Sequence, residues 1–113
     1  MKEEPVDLGI VIVSYNTRDL LRTCLKTVHG SQGDFSYQVC VVDNDSSDDS
    51  AEMVAREFPQ VRLIANRTNR GYPAANNQGL RALGYPDSAD APRFALLLNP
   101  DTELPPYGLA DML

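Results

Sequence analysis

Residues 96–106 read Leu-Leu-Leu-Asn-Pro-Asp-Thr-Glu-Leu-Pro-Pro and pass from an apolar segment into a single aspartate fixed by prolines. The apolar part predicts a buried strand, so Asp101 would stand just past its carboxyl end, where open α/β sheets bind ligands. A hard carboxylate at that place suits a divalent cation that holds phosphates. The same residues are also typical of a simple turn, because Asn, Pro and Asp all favour turns for local backbone reasons.

Three earlier apolar segments predict further strands. Leu8–Val13 is a continuous β-branched run of the kind found in strands buried on both faces. Gln38–Val42 and Val61–Ala65 follow it, and Phe94–Leu98 completes the set. Three helices are predicted between these strands. The first is capped by Asn16 or Thr17 and ends near Gly30, and the second is capped by Ser46 or Ser47 and closed by Pro59. The third runs from about Pro73 to Leu83.

Apolar residues recur at helical spacing within these helices and predict which side of each helix is buried. They are Leu20, Leu21, Cys24, Leu25 and Val28 in the first helix, and Ala51, Val54, Ala55 and Phe58 in the second. Strands that alternate with helices in this way predict an α/β fold with a mostly parallel sheet and helices on both faces.

A polar cluster follows the carboxyl end of every predicted strand. The clusters are Ser14–Thr17, Asp43–Asp49, Asn66–Asn77 and Asn99–Glu103. Because the carboxyl ends of parallel strands meet at one edge of a sheet, we expect these clusters to converge. The sequence therefore predicts one site assembled from four loops.

Asp43 and Asn44 end the second predicted strand. Side chains of their length can hydrogen-bond a base or a ribose hydroxyl at the edge of a sheet. Helix capping is the alternative role, but it requires only one or two of the seven polar residues from Asp43 to Asp49.

The segment Asn69–Gly79, Asn-Arg-Gly-Tyr-Pro-Ala-Ala-Asn-Asn-Gln-Gly, is unusual for the start of a helix, because Asn and Gly are poor helix formers. Small residues let a ligand approach closely, amide groups can bind its hydroxyls, and the amino end of a helix favours phosphate. Packing explains Gly71 and Gly79 equally well.

The sequence contains neither GxGxxG nor GxxxxGK[ST], the two common phosphate-binding glycine motifs. Phosphate charge would therefore be met by a metal at Asp101, with Arg67 or Arg70 as helpers. The formal charge of -6 and the pI near 4.5 argue against nucleic acid as a partner, because no basic patch is available to replace phosphate counterions.

At 113 residues the chain is one domain at most, and residues 107–113 begin a helix without a terminating signal, so we expect a truncated domain. The longest apolar run, Leu8–Val13, is too short to cross a bilayer and lacks the basic flank and small-residue cleavage site of a signal peptide, which predicts a soluble, cytoplasmic chain. Cys24 and Cys40 leave a disulfide open, although two buried free thiols fit their apolar surroundings better. A single histidine, His29, leaves no material for a zinc site or a histidine triad.

Four segments together match the motifs of one known family in order and spacing. They are Val11–Asn16 (Val-Ile-Val-Ser-Tyr-Asn), Val41–Asp48 (Val-Val-Asp-Asn-Asp-Ser-Ser-Asp), Asn69–Gly79, and Leu97–Thr102 (Leu-Leu-Asn-Pro-Asp-Thr). This set resembles family 2 glycosyltransferases, and within them the bacterial rhamnosyltransferase-like branch. The resemblance covers nearly all of the chain from Leu8 onward.

The resemblance implies a GT-A fold whose first half is a Rossmann-like, three-layer α/β/α domain that binds a nucleotide-diphospho-sugar and a divalent cation, Mg²⁺ or Mn²⁺. Residues 1–7 would be a tail and residues 8–113 the donor-nucleotide-binding part, without the acceptor-binding half. The donor-binding residues it implies are Val13, Ser14, Tyr15, Asp43, Asn44, Asn69, Gly71, Asn76, Asn77, Asn99 and Asp101. Asp101 would also be the metal ligand.

Two positions depart from the family pattern. Asn99 stands where the Asp-x-Asp metal motif has its first aspartate, so metal binding would depend chiefly on Asp101. Asn44 replaces a second aspartate found in many relatives, and its amide oxygen could still accept a hydrogen bond from a pyrimidine imide.

The family transfers sugar with inversion, using a carboxylate base that the resemblance places beyond Leu113, so this chain would contain no catalytic residue and would be inactive alone. The expected donor is a dTDP- or UDP-sugar such as dTDP-rhamnose. The expected acceptor is a saccharide or a lipid-linked saccharide in cell-surface polysaccharide synthesis, at the inner face of the membrane. A noncatalytic nucleotide-binding module of the same fold is the alternative. A receiver-like domain is disfavoured, because Ser14-Tyr15-Asn16 stands where an acidic pair is required.

Overall fold

A computed structural model describes residues 5–113 and contains four strands that alternate with four helices. The strands are β1 (Leu8–Ser14), β2 (Tyr37–Asp43), β3 (Arg62–Ala65) and β4 (Phe94–Leu98). The helices are α1 (Arg18–His29), α2 (Ser50–Glu57), α3 (Tyr72–Ala82) and α4 (Gly108–Met112). The predicted order of strands and helices is confirmed.

The strands form one parallel sheet in the order β3-β2-β1-β4. β1 lies at its centre and all seven of its residues are buried, as its continuous apolar sequence predicted. At the carboxyl ends the register pairs Ser14 with Asp43, and Asp43 with Ala65. The ends of β1, β2 and β3 are therefore level with one another.

Alternate residues of the central strands enter two separate cores, because successive side chains of a strand point to opposite faces. Ile10 and Ile12 pack with α1 and α2 on one face, whereas Val11 and Val13 pack with α3 on the other. Helices thus cover both faces of the sheet. The predicted three-layer α/β/α architecture is confirmed.

The two cysteines lie in different layers. Cys24 belongs to the core beneath α1, and Cys40 to the core beneath α3. Both are free and buried, as the sequence favoured, and burial raises the pKa of each thiol to about 11. Their placement on opposite faces of the sheet excludes a disulfide between them.

Details of α1 and α2 differ from prediction. Leu20 is exposed, because α1 turns Leu21, Cys24, Leu25 and Val28 toward the sheet. The second helix begins at Ser50 and not after a cap at Ser46 or Ser47. The face of α2 that packs on the sheet buries Met53 and leaves Ala55 exposed.

The prediction that β4 is a buried strand is wrong. β4 pairs only with β1 and forms an edge of the sheet in the part of the chain that the structure describes. Phe94 is 59% exposed and Leu97 46% exposed, while Leu98 is buried. An edge strand lacks a neighbour on one side, so an apolar sequence alone does not bury it.

No helix within residues 5–113 combines the length and the hydropathy that crossing a bilayer requires.

Candidate functional site

The four polar loops converge as predicted, because all four strands run parallel and end at the same edge of the sheet. We call this edge the site edge. It consists of residues 14–17, 43–49, 66–72 and 99–103.

The loops after β1 and β2 are joined by hydrogen bonds. The Asn16 backbone N–H donates to Ser46 Oγ at 2.9 Å, and the Ser47 backbone N–H donates to Asn16 Oδ1 at 2.8 Å. The Arg18 backbone N–H donates to Asp48 Oδ2 at 2.9 Å. These long-range contacts explain why the chain carries seven polar residues from Asp43, the last residue of β2, to Asp49, where helix capping needs only one or two.

Three positions in these loops have a left-handed backbone: Asn16 (φ 52°), Asp45 (φ 67°) and Asp49 (φ 64°). Asn and Asp tolerate this conformation better than other residues with side chains, since their short polar groups can bond locally. The sequence is therefore suited to two tight, interlocked loops.

Asp43 is 3% exposed and its carboxylate is held by the loop that it precedes. Its two oxygens accept from Ser46, one from the hydroxyl at 2.6 Å and the other from the backbone N–H at 3.0 Å. Ser14, its partner in β1, is buried, and its hydroxyl lies 2.8 Å from Thr17 Oγ1. Both residues thus shape the floor of the site edge.

Asn44 is 2% exposed and holds the loop after β3. Its Oδ1 accepts from the Arg70 backbone N–H at 3.2 Å and from Asn66 Nδ2 at 3.1 Å. Its Nδ2 donates to the Gly71 carbonyl at 3.3 Å.

The two glycines of the third segment have different roles. Gly71 has a φ of +81°, a backbone conformation that favours glycine. No atom lies near the place that its Cβ would take, so the residue also leaves space at the site edge. A Cβ at Gly79 would lie closer than 3.0 Å to the Val11 Cγ1 methyl, so this glycine allows α3 to pack on β1. Packing thus accounts for Gly79 but not for Gly71.

Several side chains of the third and first loops face solvent. Tyr15 is 52% and Tyr72 50% exposed. Asn69 and Asn77 are also exposed, whereas Asn76 is buried in α3. Tyr72 was absent from the residues expected at the site. The sequence could have indicated Tyr72 by its position between Gly71 and Pro73, at the first turn of a helix that starts at the site edge.

The fourth loop is a turn fastened to α1. The Thr102 N–H donates to the Asn99 carbonyl at 3.1 Å, and the Leu104 N–H donates to Thr27 Oγ1 at 3.1 Å. Asp101 is exposed on this turn, and its charge adds to the burial that raises the pKa of Cys24. The turn prediction and the position past the strand end are therefore both correct.

The carboxylate oxygens of Asp101 could bind a metal ion only together with ligands from outside the protein. Within residues 5–113, no cluster of three or more His, Cys, Asp or Glu side chains could hold an ion. Mg²⁺ and Mn²⁺ commonly bind through one or two carboxylates together with phosphate oxygens and water. Asp101, with Asn99 two positions before it in the same exposed turn, can supply that protein share, and the remaining ligands would come from a diphosphate.

A cavity of about 420 Å³ lies away from this edge, at the amino ends of β2 and β3. It contains the contact between His29 Nδ1 and the Tyr37 hydroxyl, at 3.0 Å. α1 and α3 both end beside it, and helix carboxyl ends disfavour anions. A phosphate ligand is thus expected at the site edge and not in this cavity.

Asp48 gives a pH-dependent test of the interlocked loops. Desolvation raises the pKa of this carboxyl, but hydrogen bonds from Ser50 and Arg18 outweigh it, and the net pKa lies below the ordinary 3.8. A lowered folded-state pKa stabilises the protein above the unfolded-state pKa, and the stabilisation is lost as the pH falls through the folded value. Asp48→Asn should therefore cost about 1 kcal/mol at pH 7, and the difference from wild type should shrink below pH 3.8.

Urea denaturation at several pH values measures this difference. Asp45→Asn is the matched control, since Asp45 is an exposed aspartate of the same loop. An Asp48→Asn cost that stays constant down to pH 3 would contradict the assigned hydrogen bonds.

A family model described as "Glycosyl transferase family 2" matches residues 9–113. Succinoglycan biosynthesis protein ExoO of Rhizobium meliloti (strain 1021) is 35% identical over 77 residues, which are 67% of this chain and 22% of that protein. "Uncharacterized glycosyltransferase YibD" of Escherichia coli (strain K12) is 30% identical over 76 residues, 65% of this chain and 22% of that protein. The chain thus spans about a fifth of the length of these curated relatives.

Solved structures share the fold. S. aureus TarS 1-349 in complex with UDP superimposes with a TM-score of 0.77 at 20% identity, over 94% of this chain and 30% of that one. The mannosyltransferase PcManGT from Pyrobaculum calidifontis, in complex with GDP-Man and Mn2+, gives a TM-score of 0.70 at 20% identity, over 89% of this chain and 29% of that one. The predicted fold class is therefore confirmed.

Proposed function

Since this chain belongs to glycosyl transferase family 2, we propose that its site edge binds a nucleotide-diphospho-sugar, the donor in a glycosyl transfer reaction. The observation that carries this proposal is the convergence of four polar loops at one edge of a parallel sheet. Open α/β sheets bind ligands outside the carboxyl ends of their strands. Two structural neighbours, TarS 1-349 and PcManGT, are complexes with UDP and with GDP-Man, which supports a nucleotide-sugar as the ligand.

The nucleoside would lie over the floor formed by Val13, Ser14 and Asp43, next to Tyr15 and the loop of Asn69 and Gly71. Two half-exposed aromatic rings at this edge, Tyr15 and Tyr72, offer flat apolar faces on which a base can stack. The remaining residues expected at the donor site are Asn44, Asn76 and Asn77. Asn69 and Asn77 are exposed, and although Asn69 Oδ1 accepts from the Gly71 backbone N–H at 2.8 Å, its Nδ2 could meet hydroxyl groups. Asn44 and Asn76 are buried and lie beneath the surface.

The diphosphate would lie beside Asn99 and Asp101. A bound Mg²⁺ or Mn²⁺ would neutralise diphosphate charge there and stabilise the departing nucleotide. Asp101 would hold the ion, and the exposed Arg67 and Arg70 of the third loop add positive charge to the same edge. The Mn2+ in the PcManGT complex supports this choice of cofactor.

The activity we propose for the whole protein is inverting transfer from a dTDP- or UDP-sugar, with dTDP-rhamnose as one candidate, to a saccharide or lipid-linked acceptor. Residues 8–113 would supply the donor site, and the carboxylate base would lie outside them. The name of the relative ExoO, a succinoglycan biosynthesis protein, supports a role in cell-surface polysaccharide synthesis. Such a role would place the protein at the cytoplasmic face of the membrane.

Calorimetric titration with UDP, dTDP and GDP, each with and without Mn²⁺, tests the donor site. We expect one nucleotide to bind more tightly than the other two, and Mn²⁺ to strengthen its binding, because the metal offsets the diphosphate charge. CMP, which lacks the second phosphate, is the control and should gain little from Mn²⁺. Failure of all three diphosphates to bind, with or without metal, would contradict the proposal.

A further inference from the structure

The Asn44 amide is already fully engaged on its acceptor side. An amide oxygen has two lone pairs, and Asn44 Oδ1 accepts from Arg70 N at 3.2 Å and from Asn66 Nδ2 at 3.1 Å. The side chain is 2% exposed. A pyrimidine imide N–H needs an acceptor, and Asn44 has none left to offer.

The same contacts fix the orientation of the amide. The Arg70 N–H requires an oxygen, and the Gly71 carbonyl, 3.3 Å away, requires a nitrogen. Oδ1 and Nδ2 can therefore not exchange places without leaving both backbone groups facing a like partner.

The network continues from Asn44 into α3. Asn66 and Gln78 exchange two amide hydrogen bonds, at 2.8 Å and 3.0 Å, and Asn66 also donates to Asn44. The Asn66 backbone N–H in turn donates to the Asp43 carbonyl at 2.9 Å. One chain of amides thus connects the end of β2, the loop after β3 and the first turns of α3.

We infer that Asn44 is a positioning residue: it sets the place of the Asn69–Tyr72 segment at the site edge and does not itself contact the nucleotide. This inference rests on the proposed function and changes the role that the sequence alone suggested for Asn44. The groups that would meet the ligand are those the loop presents, Asn69 and the exposed ring of Tyr72.

The inference also explains why an amide stands here in place of a carboxylate. Aspartate at position 44 could still accept from Arg70 N, but its second oxygen would replace Nδ2 and face the Gly71 carbonyl at about the same 3.3 Å. Two acceptors at that distance repel one another, although the Gly71 carbonyl keeps its hydrogen bond from the Ala75 backbone N–H at 3.2 Å. Asn44→Asp should therefore displace Gly71 although it hardly changes the size of the side chain.

Two readouts test this inference: hydrogen exchange of the Arg70 amide, followed by NMR, and nucleotide affinity by calorimetry with whichever of UDP, dTDP and GDP binds. Asn44→Ala should lower Arg70 protection and nucleotide affinity, each by about tenfold, which corresponds to about 1.4 kcal/mol. Asn44→Asp should lower affinity to a similar degree and shift the Gly71 resonance. The Asn44→Asp variant also keeps the inference testable if Asn44→Ala fails to fold.

Tyr15→Ala is the matched control for a direct contact and should lower affinity with Arg70 protection unchanged. The same pattern in Asn44→Ala would overturn the inference, because it would show that Asn44 touches the nucleotide. Lower affinity in Asn44→Asp with an unshifted Gly71 resonance would overturn it for the same reason. Loss of protection with full affinity would overturn it too, since the loop would then not matter for binding. If wild-type protein binds none of the nucleotides, the proposed function fails, and Arg70 protection still decides whether Asn44 holds the loop.

Discussion

Asp101→Ala should abolish the effect of Mn²⁺ on nucleotide binding and lower affinity in the presence of the metal by about tenfold or more, the scale on which lost metal-site contacts act. Affinity without metal should change little, because the exposed carboxylate has no other proposed contact with the nucleotide. The metal effect should depend on Asp101, because residues 5–113 contain no cluster of three or more His, Cys, Asp or Glu side chains that could hold the ion in its place. Calorimetric titration with and without Mn²⁺ measures both quantities.

Glu103→Ala is the matched control, since Glu103 is an exposed acidic residue two positions further along and its removal changes the net charge equally. It should retain the metal effect. Asp43→Ala provides the opposite pattern: it should weaken binding to the same extent with and without metal, because Asp43 shapes the floor of the site edge through Ser46. Equal affinities for wild type, Asp101→Ala and Asp43→Ala would refute this assignment of the site.

Gly79→Ala should destabilise the protein by about 1–3 kcal/mol, the range found for overpacked cores. The added methyl group would meet Val11 Cγ1 at less than 3.0 Å, and Val11 is fully buried in the central strand. Alanine favours helix over glycine by about 1 kcal/mol, but a stiff β-branched side chain in a packed core cannot move aside for it. The clash should therefore dominate, and urea denaturation at pH 7 measures the difference.

Val11→Ala in the Gly79→Ala background identifies the cause. Removing the obstructing methyl groups should make the double variant more stable than the sum of the two single changes predicts, by about 1 kcal/mol. Arg81→Ala, an exposed change in the same helix, should stay within about 0.5 kcal/mol of wild type. Strictly additive costs at Val11 and Gly79 would show that the two residues do not compete for space.

The central strands could be predicted because their signal is local. β1 is buried on both faces, and a continuous β-branched run is typical of such a strand. The apolar residues of β4 resemble those of β1, yet Phe94 and Leu97 are exposed. Hydrophobic pattern does not encode how many neighbours a strand has, so the sequence could not separate an edge strand from a central one.

The convergence of the four loops could also be predicted, because it follows from parallel strands alone. The hydrogen bonds within and between those loops could not. Asn44 bonds to residues 22 to 27 positions away, and Ser47 to Asn16, 31 positions away. Such partners depend on the folded arrangement, and this is also why Ser46 and Ser47 resemble helix caps in the sequence although they bind the loop after β1.

The interlocked loops after β1 and β2 bear on the entropy of binding. Ordering a residue costs about 1–2 kcal/mol of backbone entropy, and here Asn16 bonds to Ser46 and Ser47 while Asp48 bonds to the Arg18 backbone, so contacts within the chain order these loops. That cost is met when the chain folds and not when a ligand arrives. If the proposed donor binds at the site edge, it would meet loops that are already ordered, and it could leave without waiting for them to open.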